Sequence, residues 1–290
     1  MHPAPSVILF TVLSGLGFGM LAFLGLGLPA PTGWIGFVFY AIAFALTVGG
    51  LVASTFHLAN PKNAPKAFSQ WRSSWLSREA VLAVAACLVM GLHAALSVLF
   101  GVVIAPLGWL GAALCLATVY ATAMIYTQLK AVPRWHQPMT PVVFLVMSLA
   151  GGSLLTGQIW AAYFLLPLAA IVVEIFWRIG DRRFQEAGTT VETATGLGAI
   201  GKVSLFEPPH TGDNYLLKEM VYVVGRKHAV RLRAIATFGI AILPFLLLLI
   251  SDSHLVAALA VLLHLIGALA ARWLFFAEAE HVVGLYYGKR

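Results

Sequence analysis

Eight continuous apolar runs divide the chain, at about 6–29, 34–56, 79–101, 108–128, 139–158, 160–178, 234–250 and 254–276. Lys and Arg are absent from them except at their very ends. Each run is close to the roughly 20 apolar residues that cross the hydrocarbon of a bilayer. The runs do not alternate residue by residue, as a membrane β-barrel requires. Lipid leaves the edge of an open sheet without hydrogen-bond partners, so every run is predicted to be a helix. The expected fold is an all-α integral membrane protein, a bundle of about eight transmembrane helices. Residues 1–290 form a single polytopic domain with one sizeable extramembrane loop at about 179–233.

Composition agrees. Of 290 residues, 60% are hydrophobic and 10% charged, where a soluble domain carries about 25% charged residues. Mean hydropathy is +0.90. Cys87 and Cys115 both fall inside apolar runs and read as packing residues, with no CxxC pair. Met1 to Ser6 lacks a basic n-region, so no cleavable signal peptide is expected. The net charge of +7 points to topology and not to nucleic acid. All 18 Lys and Arg residues fall in the loops after runs 2, 4 and 6 or at the C-terminal end. The positive-inside rule makes that face cytoplasmic, with both termini on it, in a bacterial inner membrane. On the opposite face Asp252 is the one formal charge, so partners are expected on the charged face.

Within the long loop, Pro208 and Pro209 form a breaker. From Tyr215 to Arg233 the apolar positions Leu216, Met220, Val223 and Val224 recur at helical spacing, with basic residues toward the end. This predicts an amphipathic helix leading into the seventh span, which lies on anionic lipid or docks a soluble subunit. Small residues, Gly15 and Gly19 in run 1 and Gly151, Gly152 and Ser153 in run 5, are expected to bring helix backbones close together.

Candidate chemistry gathers where run 2 ends and run 3 begins. His57 stands at the membrane boundary, before the breaker at Pro61. Loop 2–3 closes with Ser74-Trp75-Leu76-Ser77-Arg78-Glu79. Ser77 reads as the N-cap of the third helix, and Glu79 as a first-turn carboxylate near the positive dipole end. A quinone head group asks for a donor to its carbonyls, a group that relays protons near neutral pH and aromatic walls. His57, Glu79, Trp75 and Phe68 are of the right types. Capping and an interfacial, snorkelling His remain the plainer account of the same residues.

Three segments resemble the DmsC-type membrane anchor subunits of dimethyl sulfoxide reductase and related molybdopterin oxidoreductases. The first is Phe56-His57-Leu58-Ala59-Asn60-Pro61 with Ala67-Phe68 and Ser74 to Glu79. The second is Ala131-Val132-Pro133-Arg134-Trp135 with Thr140-Pro141. The third is Arg272-Trp273-Leu274-Phe275-Phe276, followed by His281. The long loop departs from the enterobacterial pattern and looks more like the anchor of the sulfite dehydrogenase branch. The resemblance implies a subunit of a sulfur or anaerobic electron-transport complex that exchanges electrons with ubiquinone or menaquinone. It also implies an iron–sulfur subunit and a molybdopterin subunit on the cytoplasmic face. His57 and Glu79 fall on the family's quinol-site His and acidic residue. The wider expected site adds Phe68, Trp75, Ser77, Arg78, Trp135 and Arg272.

Two other readings compete. His93 and His264 lie deep in their runs, about 21 Å and 15 Å from opposite helix ends at 1.5 Å per residue, and offer an axial pair for haem b. A secondary transporter would place charged or broken helices at the midplane, where this chain carries little besides those two histidines.

Overall fold

The computed structural model describes residues 1–56, 61–207, 212, 214–221, 228–251 and 253–288. Described residues form helices and turns and no strand. The principal helices are α1 (Pro5–Gly25), α2 (Gly33–Thr55), α3 (Trp75–Phe100), α4 (Ala105–Thr127), α5 (Met139–Leu155) and α6 (Ile159–Glu186). Two short helices follow, α7 (Val191–Thr195) and α8 (Tyr215–Met220). Next come α9 (Ala229–Thr237), a π-helical segment (Phe238–Ile242) and α10 (Leu243–Ile250), which together make one span. The last helix is α11 (His254–Ala277). Seven helices are long and apolar enough to cross a membrane. The eighth expected span, α5, is shorter, at 17 residues. It ends at Leu155 because Gly157 turns the chain with φ +67°.

Helix α1 is the centre of the bundle and packs against α2, α4, α5 and α11. Most of its length is buried, unlike its neighbours, whose outer faces remain for lipid. In lipid no hydrophobic force joins helices, so close backbone approach has to hold them. A Cβ on Gly19 would collide with the Ser148 carbonyl oxygen of α5, and one on Gly152 would collide with the backbone of Gly19. Gly17 presses on Thr47 of α2, and Gly25 on Gly108 of α4. Gly15, the other half of the expected GxxxG, has nothing within 4 Å of its Cβ position. Its role is different: its carbonyl accepts the Ser148 hydroxyl.

The π-helical segment has a local cause. Pro244 has no N–H to give to the carbonyl four residues earlier, that of Ile240. His264 Nδ1 of α11 donates to that oxygen instead, at 2.7 Å.

Two boundaries differ from expectation. Helix α3 starts at Trp75 with Ser74 at its N-cap, so Ser77 is not the cap; it lies buried inside the first turn. Arg78 N–H already bonds the Ser74 carbonyl at 3.0 Å, which extends the helix past the expected start. Helix α6 continues to Glu186, shortening the loop at 179–233. In that loop, α8 stops at Met220 and, among the described residues, the next helix starts at Ala229, so Tyr215–Arg233 is not one continuous amphipathic helix. Val221 has left helical geometry, with φ −113° and ψ 57°. Val223, Val224, Pro208 and Pro209 lie outside the described residues.

The ends of the chain meet at one end of the bundle. The Met1 amine donates to the Ala279 carbonyl at 2.6 Å, and His2 N–H to the Glu219 carbonyl at 2.7 Å. Val282 N–H bonds Ala131 O at 3.0 Å. An ion cluster ties the same end together. Arg134 reaches Asp181 at 2.6 Å and Glu278 at 3.4 Å, while Arg233 reaches the same two carboxylates at 2.6 and 2.8 Å. Arg233 also lies over the Trp177 ring, at 5.3 Å. Arg233 therefore belongs to the interior lattice, not to a free basic docking face.

Candidate functional site

A cavity of about 410 Å³ opens at this charged end. Its walls come from the start of α1 (Val7, Phe10), the end of α2 (Ser54), the start of α3 (Leu76, Glu79) and the end of α4 (Ile125, Tyr126). Trp135 and Phe276 close the inner side; His2, Tyr215, Glu219 and Met220 line the mouth. The volume falls in the range of small-ligand sites, and the wall is mostly apolar with few polar groups, as such sites are.

Glu79 is the polar centre of this wall. It is 5% exposed and accepts a hydrogen bond from the Thr122 hydroxyl of α4. A carboxyl group is costly to bury without partners. Glu79 is not the first-turn carboxylate expected: with α3 starting at Trp75 it lies past the first turn, which puts it in the cavity wall instead of in the loop. Trp135 is fixed on two sides. Its indole N–H donates to the Phe275 carbonyl at 2.8 Å, and its ring stacks on Phe275 with centroids 5.2 Å apart and planes 9° apart. Tyr126 meets Trp135 edge-on, also at 5.2 Å. The aromatic wall is thus set by side chains that hold one another.

Comparison with known proteins fits this architecture. The family model of the DMSO reductase anchor subunit, DmsC, matches residues 1–278. The chain belongs to the DmsC family. It is also 32% identical to the C-type subunit of the sulfite dehydrogenase of Allochromatium vinosum, over 99% of both chains. No solved structure matches it. The protein is thus a multi-pass membrane protein and an anchor subunit of an oxidoreductase complex.

In this DmsC-family chain the expected site residues separate. Glu79 and Trp135 share the cavity. His57 lies outside the described residues. Phe68 ends the 3₁₀ segment Pro61–Phe68 and is 45% exposed, away from the cavity lining. Trp75 packs edge-on against Tyr120 and carries the Arg78 guanidinium on its face at 4.4 Å. Arg78 in turn donates to the carbonyls of Trp71 and Arg72, at 3.1 and 2.6 Å. It fastens loop 2–3 onto α3 and does not face the cavity. Ser77 is buried but is not among the lining residues. Arg272 is buried one layer deeper, with its guanidinium over Phe144 at 3.7 Å.

His93 and His264 are not brought together. His93 packs edge-on to Tyr40 of α2 and against Gly108 of α4. His264 sits between the π-helical segment and Gly151 of α5. Among the described residues no group of three or more His, Cys, Asp and Glu is placed to hold a metal ion. Cys87 and Cys115 are free thiols within α3 and α4.

Sequence reasoning missed Tyr126, Phe276 and Thr122 as site residues, and it expected a helix from Tyr215 without placing it at the cavity. Tyr126 and Thr122 lie one turn apart on α4 and carry no local signal. Only the packing of α4 on α3 brings them to Glu79.

Proposed function

We propose that this anchor exchanges electrons with membrane quinone in the cavity at its charged end, on the cytoplasmic side of a bacterial inner membrane. The observation that carries this reading is a buried carboxyl, Glu79, in the wall of an aromatic cavity between helix ends. The residues present fit a quinone head group in size and chemistry. Trp135, Tyr126 and Phe276 supply flat apolar surfaces for a ring, and Val7, Phe10 and Ile125 supply surface for a tail. Glu79 takes or gives the proton that accompanies each electron, in reach of the mouth and its polar groups His2 and Glu219. A quinone supplies the two-electron chemistry when bound. His57, which follows α2 in the sequence, is the proposed donor to a quinone carbonyl. The seven long helices and α5 together form eight spans, with both termini inside.

The electrons pass to or from an iron–sulfur subunit above this end, and through it a molybdopterin subunit, as in a sulfite dehydrogenase or a dimethyl sulfoxide reductase. The relative's name favours sulfite. In the assembled complex, Glu79→Gln is expected to lower quinone-linked turnover by about 10²-fold, the worth of a positioned acid–base group. Activity with a soluble dye that bypasses the anchor stays intact. Unchanged quinone turnover in Glu79→Gln would remove the quinone role from this cavity.

A further inference from the structure

The Thr122 hydroxyl has one hydrogen and two acceptors. One is the Glu79 carboxylate; the other is the Thr118 carbonyl, 3.0 Å away. A hydroxyl gives one hydrogen bond and accepts two. With Glu79 ionised, the hydrogen turns to the carboxylate. With Glu79 protonated, the carboxyl O–H donates to Thr122 Oγ1, and the Thr122 hydrogen turns to Thr118. Both charge states of Glu79 are bonded without moving a heavy atom.

Thr122 also lines a second, deeper cavity between α1, α4, α5 and α11, of about 20 Å³. That is room for one water, which needs about 10–15 Å³ and two to four polar partners. Its polar lining is Thr11, Ser14, Ser148, His264 and Arg272. Two of these residues carry buried nitrogens that no group among the described residues satisfies, His264 Nε2 and Arg272 Nε. The residues themselves are 1% and 5% exposed. Because His264 Nδ1 donates to Ile240 O, Nε2 of the neutral ring is an acceptor. Arg272 Nε is a donor. A water in this space can satisfy one of these nitrogens, which an apolar filling would not do.

We propose that the inner cavity is a site for one ordered water, and that Thr122 couples it to Glu79 as a positioning residue. The proposal rests on the quinone reading of the outer cavity for its purpose, although its structural content stands apart. When its own hydrogen points to Glu79, Thr122 Oγ1 has a lone pair left for the inner water. When Glu79 holds a proton, the second lone pair serves the carboxyl. The buried carboxyl can then change charge during turnover without losing a partner. The proton itself enters and leaves through the outer cavity. Around the two cavities, α4 contributes Tyr126, α11 Arg272 and His264, the N-terminal segment His2 and the Met1 amine, and α8 Glu219. Among the described lining residues, α1, α2 and α5 add only hydroxyls, Thr11, Ser14, Ser54 and Ser148.

The test uses infrared difference spectra of the purified full chain between low and high pH, with the Glu79 carboxyl band assigned by its loss in Glu79→Gln. In Thr122→Val the band moves to higher wavenumber, since the carboxyl loses its partner. In the assembled complex that variant displaces the pH profile of quinone-linked turnover and lowers it about tenfold at neutral pH, as loss of one charge-assisted hydrogen bond implies. Thr122→Ser restores all three. Thr122→Ala replaces Val if the bulkier apolar variant does not assemble. A Glu79 band and a pH profile unmoved by removing the hydroxyl would overturn the coupling. A water O–H band that shifts in heavy-oxygen water and vanishes in His264→Phe is expected; its absence from the parent protein would overturn the inner site. Full quinone turnover in Glu79→Gln, by contrast, sinks the quinone reading, and the infrared comparison still decides the role of Thr122.

Discussion

Arg78 and Glu79 are neighbours in the chain and do different work. The helix start decides which. Because α3 begins at Trp75, Glu79 comes round to face α4 and Thr122, while Arg78 points back over Trp75 and the loop carbonyls. Arg78→Ala is therefore expected to leave quinone-linked turnover within about twofold, costing only about 1 kcal/mol of loop anchoring. A hundredfold loss would place Arg78 at the quinone after all. Glu79 was a candidate from its place at a span end, although capping offered a plainer account, and Trp135 entered through the family resemblance; both line the cavity. Phe68, Trp75 and Ser77 were placed by proximity in sequence, and side-chain direction separated them from the cavity. Arg272 is polar and near a span end, but its helix carries it below the site, onto Phe144. Nothing in the sequence marks Thr122 or Tyr126, because their importance is a property of the α3–α4 contact.

Among the helices, the apolar runs located the seven long apolar helices and the shorter α5, since about twenty residues without charge leave few alternatives to a helix. They did not locate the ends. Trp75 to Arg78 lengthen α3, Ile179 to Glu186 lengthen α6, and Gly157 shortens α5. The polar residues at these extensions are bound by tertiary partners that a hydropathy pattern does not see. The GxxxG of α1 shows the same limit. Gly19 is packed on the Ser148 carbonyl, and Gly15 has open space at its Cβ position. Gly19→Val should push α1 from α5 and lower stability by about 3 kcal/mol, as overpacking does. Gly15→Ala should cost well under 1 kcal/mol. Thermal unfolding in one detergent compares the two; equal losses would mean that the close approach of α1 and α5 is not set at Gly19.

For the molecule as a whole, charge sorting put every Lys and Arg on one end, and the structure divides those charges into two kinds. Arg134 and Arg233 are consumed by Asp181 and Glu278 inside the bundle end. Arg231 is exposed on α9, and Arg226 and Lys227 lie outside the described residues. The first two hold the anchor together, and among the described residues Arg231 is exposed to a partner. Removing Arg233 leaves the buried Glu278 with only the longer Arg134 contact, so Arg233→Ser should lower the thermal stability of the isolated anchor. Exposed contacts across an interface behave otherwise, since they are screened within about 10 Å at 0.1 M salt. Replacing Arg226, Lys227 and Arg231 together with Ser should leave the anchor's own unfolding temperature in place. It should weaken its hold on the soluble subunits most at low salt, and the difference from the parent should shrink as salt screens the parent's own contacts. Co-purification of the assembled complex across a salt series measures the second effect, and thermal unfolding of the anchor alone measures the first. If the triple variant keeps its subunits at low salt as the parent does, these three residues rest on anionic lipid and docking falls to the apolar residues of the same end, such as Phe206 and Ile200, which are exposed.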